Sequence, residues 1–117
     1  MEAEPMNWVI DQIRVGRFAV FSYLIIDPGT REAALIDPGA EPARILQKVR
    51  EHRARVRWIV CTHTHPDHIG GTDVLQKETG AKLAMHRHEA PLMNRWTRKL
   101  LVRILGGRSP RKVDVLL

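Results

Sequence analysis

Four residues that can bind a metal ion lie within six consecutive positions near the middle of the chain. They are His63, His65, Asp67 and His68. Imidazole nitrogens and carboxylate oxygens are ligands that zinc accepts, and an open position on such an ion activates water for hydrolysis. A lone histidine is more often a surface or packing residue, but this density of ligand-type residues favours a metal site over a His-rich surface loop.

The spacing of these residues predicts how they share a pocket. His63 and His65 are two residues apart, so their side chains point to the same side of an extended segment. Pro66 ends any regular strand and redirects the backbone, which lets Asp67 and His68 face the same pocket. We expect the first two residues to bind one ion and the last two a neighbouring ion. Asp67 is also the candidate catalytic residue, because a carboxylate beside such an ion can orient the attacking water.

The elements that must position this cluster are predicted to be alternating strands and helices. The strands are expected over Trp8–Val15, Phe18–Ile26, Ala33–Ile36, Arg55–Cys61, Lys82–Met85 and Val113–Leu117, and the helices from Pro42, over Thr72–Thr79 and around Trp96–Leu105. This order predicts an α/β fold with helices packed on a sheet. The continuous apolar run before Cys61 further predicts a strand that is buried on both faces.

Length and composition predict a single domain over residues 1–117, since domains of about 100–150 residues are the commonest size. The apolar runs are far shorter than the roughly 18 residues of a membrane span, and the acidic N-terminus does not look like a secretory signal. Cys61 is the only cysteine, so an internal disulfide is impossible. We expect a cytoplasmic protein in which Cys61 is a small packed residue rather than a metal ligand.

The net charge of +6 is concentrated near the C-terminal end. The basic residues there are Arg95, Arg98, Lys99, Arg103, Arg108, Arg111 and Lys112, with no acidic residue among them. Nucleic-acid binding generally pairs such charge with aromatic side chains on which bases stack. Because aromatic residues are almost absent from this segment, a solvated helix face and loop are favoured over an RNA or phosphate-binding patch.

The stretch Thr62–Gly71 closely resembles the signature of the metallo-β-lactamase superfamily. Ser22–Ile25 and Ala33–Ala40 also look like the opening hairpin and Asp-Pro-Gly turn of its glyoxalase II-like branch, the hydroxyacylglutathione hydrolases. The resemblance implies an αββα sandwich with a metal site at the edge of its two sheets. It covers about Trp8 to Leu117, so we expect this chain to form the N-terminal half of that sandwich and to be truncated at its C-terminus.

The resemblance also implies roles for individual residues. Those matching His63 and His65 hold a first zinc, those matching Asp67 and His68 hold a second, and the one matching Asp37 supports the ligands from behind. Each family site is completed by a further histidine, and an aspartate often bridges the ions, but no matching residues follow in this chain. His86 and His88 are expected at the pocket rim or surface instead.

The function implied is that of a metal-dependent hydrolase. Two Zn²⁺ ions are expected in the complete domain, with zinc-bound hydroxide acting on a small thioester or ester; iron or manganese could replace zinc. The missing ligands predict weak or absent catalysis. Two alternatives stay open: a noncatalytic metal-binding fragment or partner-dependent half-domain, and a phosphodiesterase or nuclease of the same superfamily. A sheet face left uncovered would favour self-association into a homo-oligomer.

Overall fold

The structure is a computed structural model that describes residues 8–16, 20–62, 71–87, 104 and 113–117. Its described part contains a six-stranded sheet in the order β1-β2-β3-β4-β5-β6. The strands are β1 (Val9–Val15), β2 (Val20–Ile26), β3 (Glu32–Ile36), β4 (Arg55–Cys61), β5 (Lys82–Met85) and β6 (Val115–Leu116). Helix α1 (Pro42–Glu51) connects β3 to β4, and helix α2 (Thr72–Thr79) lies between β4 and β5. The predicted α/β alternation is therefore confirmed.

The sheet combines two antiparallel pairings with three parallel ones. β1 pairs with β2 and β2 with β3 in antiparallel register, whereas β3, β4, β5 and β6 pair in parallel. The turn after β2 is closed by the Asp27 carboxylate, which accepts a hydrogen bond from the N–H of Gly29 at 2.9 Å. Parallel strands joined through a helix make right-handed crossovers. Because β3, β4 and β5 follow one another across the sheet, α1 and α2 lie on the same face.

That helix-covered face contains the hydrophobic core. Side chains alternate between the faces of a strand, and the inward positions are the apolar ones. The buried cluster includes Ile13, Leu24, Leu35, Ile59 and Leu83 from the strands and Ile45, Val49 and Leu75 from the helices. Burial of this face, rather than local propensity, is what aligns the carboxyl ends of β3, β4 and β5 at one edge.

The opposite face of the sheet is partly apolar and more exposed. Cross-strand register places Ile10, Ile25, Ala34 and Trp58 in one row on this face, with Lys82 at its end. Ile10 is 62% exposed and Trp58 is 40% exposed. The prediction that the strand ending at Cys61 is buried on both faces is thus wrong. The described helices cover only one side of the sheet, and Trp58 points to the other.

The last strand is shorter than the sequence predicts. Pairing is limited to Ala84 with Val115 and Met85 with Leu116. Before it, the Asp114 carboxylate accepts hydrogen bonds from the N–H of Leu83 at 2.8 Å and from the Gln76 side chain at 3.1 Å. The backbone N–H of Asp114 also donates to the carbonyl of Leu83 at 2.9 Å, and that of Leu117 to the carbonyl of Met85 at 2.8 Å, so backbone hydrogen bonds reach one residue beyond each end of β6.

Two further expectations fall largely outside the described residues. The helix expected around Trp96–Leu105 is described only at Ile104, which is helical. Most of the basic segment between Arg95 and Lys112 also lies outside the described residues. Among the helices that the structure does describe, none is long and apolar enough to cross a membrane.

Substitutions on the two faces of β1 test directly which face of the sheet forms the core. Ile13 is 2% exposed and Ile10 is 62% exposed on the same strand. We expect Ile13→Ala to lower the free energy of unfolding by about 2–5 kcal/mol, because it removes buried methyl groups and leaves a cavity. At a concentration where the protein is monomeric, Ile10→Ala is expected to cost less than about 1 kcal/mol. Guanidinium unfolding measures both, and equal costs would contradict the assignment of the core face.

Candidate metal centre

The sequence signature begins where parallel strands end side by side. In register, Ile36 at the end of β3 pairs with Val60, and Cys61 at the end of β4 pairs with Met85 at the end of β5. Ligand sites of open α/β sheets commonly lie at this carboxyl edge. Asp37 follows β3 and Thr62 follows β4, so this edge holds the segment that leads directly into His63.

Asp37 lies at the base of that segment and is buried. Its Oδ1 accepts a hydrogen bond from the backbone N–H of Thr62 at 2.7 Å, and its Oδ2 accepts one from the Thr62 hydroxyl at 2.5 Å. Its own N–H donates to the carbonyl of Val60 at 2.9 Å. The backbone of Asp37 is left-handed, with φ of 50°, a conformation that Asp tolerates better than most residues. Asp37 therefore fixes the residue that precedes His63.

Ser22 was not predicted as a site residue, although it supports the same turn. Its hydroxyl donates to the backbone carbonyl of Asp37 at 2.6 Å, and the side chain is completely buried. A signal was available in the sequence, because Ser22 occupies the inward register of β2 together with Leu24 and Ile26. A polar group at a core-facing position must find a hydrogen-bond partner.

Gly71 contacts this turn from the other end of the signature. Its N–H donates to the carbonyl of Pro38 at 2.8 Å. A Cβ atom on Gly71 would lie only 2.9 Å from that carbonyl oxygen. The φ of Gly71 is −96°, which any residue adopts, so glycine is required here for space and not for backbone conformation. Gly71 therefore allows the end of the signature to lie directly against the backbone of the turn.

Cys61 is packed beneath the same edge, as predicted. It is 1% exposed, and its Sγ lies 3.7 Å from the hydroxyl oxygen of Thr72. Burial raises the pKa of the Cys61 thiol to about 12; the nearby Asp37 charge also raises the pKa, and the contact with Thr72 lowers it. A thiol binds metal as the thiolate, so these surroundings disfavour Cys61 as a ligand.

The predicted metal ligands lie outside the described residues. These are His63, His65, Asp67 and His68, and His88 is outside as well. Within residues 8–16, 20–62, 71–87, 104 and 113–117, no group of three or more His, Cys, Asp or Glu side chains could hold a metal ion. His86 follows β5 at the same sheet edge and is exposed, which agrees with a rim or surface position.

Comparison with known proteins bears on the signature and on the fold. A protein-family model described as the metallo-beta-lactamase superfamily matches residues 15–116. The hydroxyacylglutathione hydrolase of Anaeromyxobacter dehalogenans (strain 2CP-C) is 38% identical over 82 residues, which are 70% of this chain and 31% of that protein. The cytoplasmic hydroxyacylglutathione hydrolase of Arabidopsis thaliana is 37% identical over 57 residues, which are 49% of this chain and 22% of that protein.

A solved structure matches over most of the chain. The crystal structure of TTHA1623 in a di-iron-bound form superposes with a TM-score of 0.76 at 25% identity, over 92% of this chain and 54% of that one. The expected family resemblance and fold class are therefore confirmed. This chain spans less than a third of the length of the two curated relatives, at 31% and 22%.

The packing of Cys61 predicts that its thiol is inert in the native protein. We expect a disulfide reagent such as dithionitrobenzoate to label native, metal-free protein slowly at pH 8, because the sulfur is buried and protonated. Labelling should become fast and stoichiometric in guanidinium. Rapid labelling under native conditions, with a rate that rises through the ordinary thiol pKa of about 8.5, would contradict this packing.

Proposed function

Because this chain belongs to the metallo-beta-lactamase superfamily, we propose that residues 1–117 form the N-terminal half of a metal-dependent hydrolase domain. Its metal ligands include His63, His65, Asp67 and His68. The observation that best supports this proposal is the double hydrogen bond between the Asp37 carboxylate and Thr62. It fixes the start of the signature at the carboxyl edge of the sheet, where such sites commonly lie.

The donor set fits a divalent metal by its chemistry. Imidazole and carboxylate ligands are accepted by zinc, which is the proposed ion, and also by iron and manganese. Among the structural matches, that of TTHA1623 is described as di-iron-bound. A bound ion would lower the pKa of water and polarise the carbonyl of a substrate.

The residues of this site have separate proposed roles. His63, His65 and His68 provide neutral donors, while the Asp67 carboxylate can also orient the attacking water and accept its proton. Asp37 holds the first of these residues in place through Thr62. Cys61 is buried and takes no part in the chemistry.

The proposed substrate is a small thioester or ester, and the proposed location is the cytoplasm. Two relatives named hydroxyacylglutathione hydrolase support the substrate class, and one of them, named as cytoplasmic, supports the location. The observations give no comparable support to a nuclease, since most of the basic segment lies outside the described residues.

Metal binding is the first property to measure. Dialysed protein loaded with zinc should retain about one to two ions per chain by elemental mass spectrometry, as expected for a site of this class. His65→Ala and Asp67→Ala should each reduce that ratio. His52→Ala is the matched control. His52 follows the C-terminal end of α1, away from Asp37, and its Nε2 lies 2.9 Å from Oδ2 of Asp11. A ratio near zero in the unsubstituted protein would contradict the proposal.

Turnover then separates the enzyme from a noncatalytic metal-binding fragment. The loaded protein should hydrolyse a thioester such as S-lactoylglutathione. His65→Ala should abolish that hydrolysis, while His52→Ala should leave it unchanged. Stoichiometric zinc without any turnover would support the fragment instead.

The exposed face of the sheet is proposed to pair with a second copy of this chain. It carries the row that contains Ile10 and Trp58, and a cavity of about 610 Å³ lies on it beside Trp8 and Trp58. The same cavity is bordered by charges of both signs, from Asp27, Glu32, Arg57 and Lys82. Under a two-fold axis the same patch meets itself, so the basic residues of one copy can face the acidic residues of the other.

Sedimentation velocity over a range of concentrations tests this pairing. The protein is expected to sediment as a dimer, and Ile10→Lys to shift it to monomer by placing a charge within the apolar row. Val74→Lys is the matched control, since Val74 lies on α2 on the opposite face and is 36% exposed. A monomer at every concentration, or equal effects of both substitutions, would show that this face does not bind a second copy.

A further inference from the structure

The segment that carries the four proposed ligands begins and ends against the same turn. At its start, Thr62 donates two hydrogen bonds to the carboxylate of Asp37. At its end, the N–H of Gly71 donates to the carbonyl of Pro38 at 2.8 Å. Asp37 and Pro38 are adjacent in the chain, so one turn after β3 holds both ends of the segment.

This arrangement constrains the distance between the ends. Thr62 and Gly71 are nine residues apart in the sequence, and nine residues of extended chain could span about 30 Å. Two residues that are hydrogen-bonded to neighbouring positions of one turn are instead held on the order of 10 Å apart. These hydrogen bonds restrict the segment before an ion binds. The conformational entropy that is lost on binding is therefore smaller.

The contact at Gly71 has no space to adjust. A Cβ atom there would meet the carbonyl oxygen of Pro38 at 2.9 Å and the carbonyl oxygen of Ala40 at 3.6 Å. Both are backbone atoms of the turn, which cannot rotate away as a side chain could. Any larger residue at position 71 must therefore push the segment and the turn apart.

The turn itself is held from the core. The N–H of Asp37 donates to the carbonyl of Val60 on β4 at 2.9 Å, and the Ser22 hydroxyl donates to the carbonyl of Asp37 at 2.6 Å. Ser22 is buried in β2, next to β3 in the sheet. The position of the turn thus depends on two neighbouring strands.

We propose that the Asp37–Pro38 turn is a two-point clamp, which sets the separation of Thr62 and Gly71 and through it the metal affinity of the segment between them. Ser22 and Gly71 are positioning residues of this clamp, because they act through the turn rather than on the ion. The inference rests on the proposed function, which assigns the metal ligands to residues 63–68.

Three substitutions remove different parts of the clamp. Gly71→Ala forces the second contact apart, Ser22→Ala removes the support from β2, and Thr62→Val removes the hydroxyl contact but keeps the backbone one. Thr62 is exposed, so its substitution should leave the core intact. Thr62→Val therefore still tests the clamp if Ser22→Ala fails to fold. Ser22→Thr retains the hydroxyl donor and should therefore restore zinc affinity relative to Ser22→Ala. Gly29→Ala is the control for glycine replacement, since its Cβ would only reach ordinary contact, at 3.4 Å from the Asp27 carboxylate.

The first readout is zinc affinity, measured by competition with a chromophoric chelator. Loss of groups that orient metal ligands typically weakens binding about 10- to 100-fold, and this loss is expected for Gly71→Ala and Ser22→Ala. Thr62→Val should weaken binding less, because the backbone hydrogen bond to Asp37 remains. Guanidinium midpoints for every variant separate a loss of affinity from a loss of folding.

The second readout is amide hydrogen exchange of peptides covering residues 62–71 in metal-free protein. Exchange there should be faster in all three variants than in wild type and Gly29→Ala, because the ends of the segment open more often. Unchanged exchange and unchanged affinity in folded Gly71→Ala and Thr62→Val would overturn the clamp. Wild-type protein that binds no zinc would overturn the proposed function alone, and the exchange comparison would still test the clamp.

Discussion

A buried carboxylate must be hydrogen-bonded, and in this chain that requirement ties two strands together. Asp37 is buried at the end of β3, where it accepts two hydrogen bonds from Thr62 at the end of β4. An unpaired buried charge would be strongly destabilising. The contact forms only if β3 and β4 lie side by side and end at the same level. Packing of the helix-covered core maintains this alignment, because α1 and α2 pack on one face of the sheet and the strand ends lie together at one edge.

The one-sided core also explains the rest of the molecule. Crossovers of the same hand place both described helices on one face, where Leu35, Ile45 and Ile59 pack. The other face keeps Ile10 and Trp58 partly in solvent. The same constraint that aligns the ends of β3 and β4 therefore leaves a partly apolar surface on the other face.

Much of this could be predicted from the sequence, because the signals were local. The order of strands and helices followed from such signals, whereas the metal site that the residue types at 63–68 predict lies outside the described residues and stays a prediction. The contacts between distant residues could not be predicted in the same way. Those of Ser22 with Asp37 and of Gly71 with Pro38 join residues 15 and 33 positions apart, and they exist only after the strands have paired. The exposure of Trp58 was missed because a continuous apolar run does not show which layers cover it. The shorter length of β6 was missed because the apolar pattern of Val113–Leu117 does not show how many of these residues pair with β5.

We propose that the histidine and aspartate residues between Thr62 and Gly71 bind the metal and that the packed Cys61 does not. The most direct measurement is the zinc K-edge X-ray absorption spectrum of the loaded 117-residue protein. Ligation by this segment predicts a shell of nitrogen and oxygen at about 2.0–2.1 Å with imidazole scattering beyond it. A sulfur shell at about 2.3 Å, or the absence of imidazole scattering, would contradict the claim.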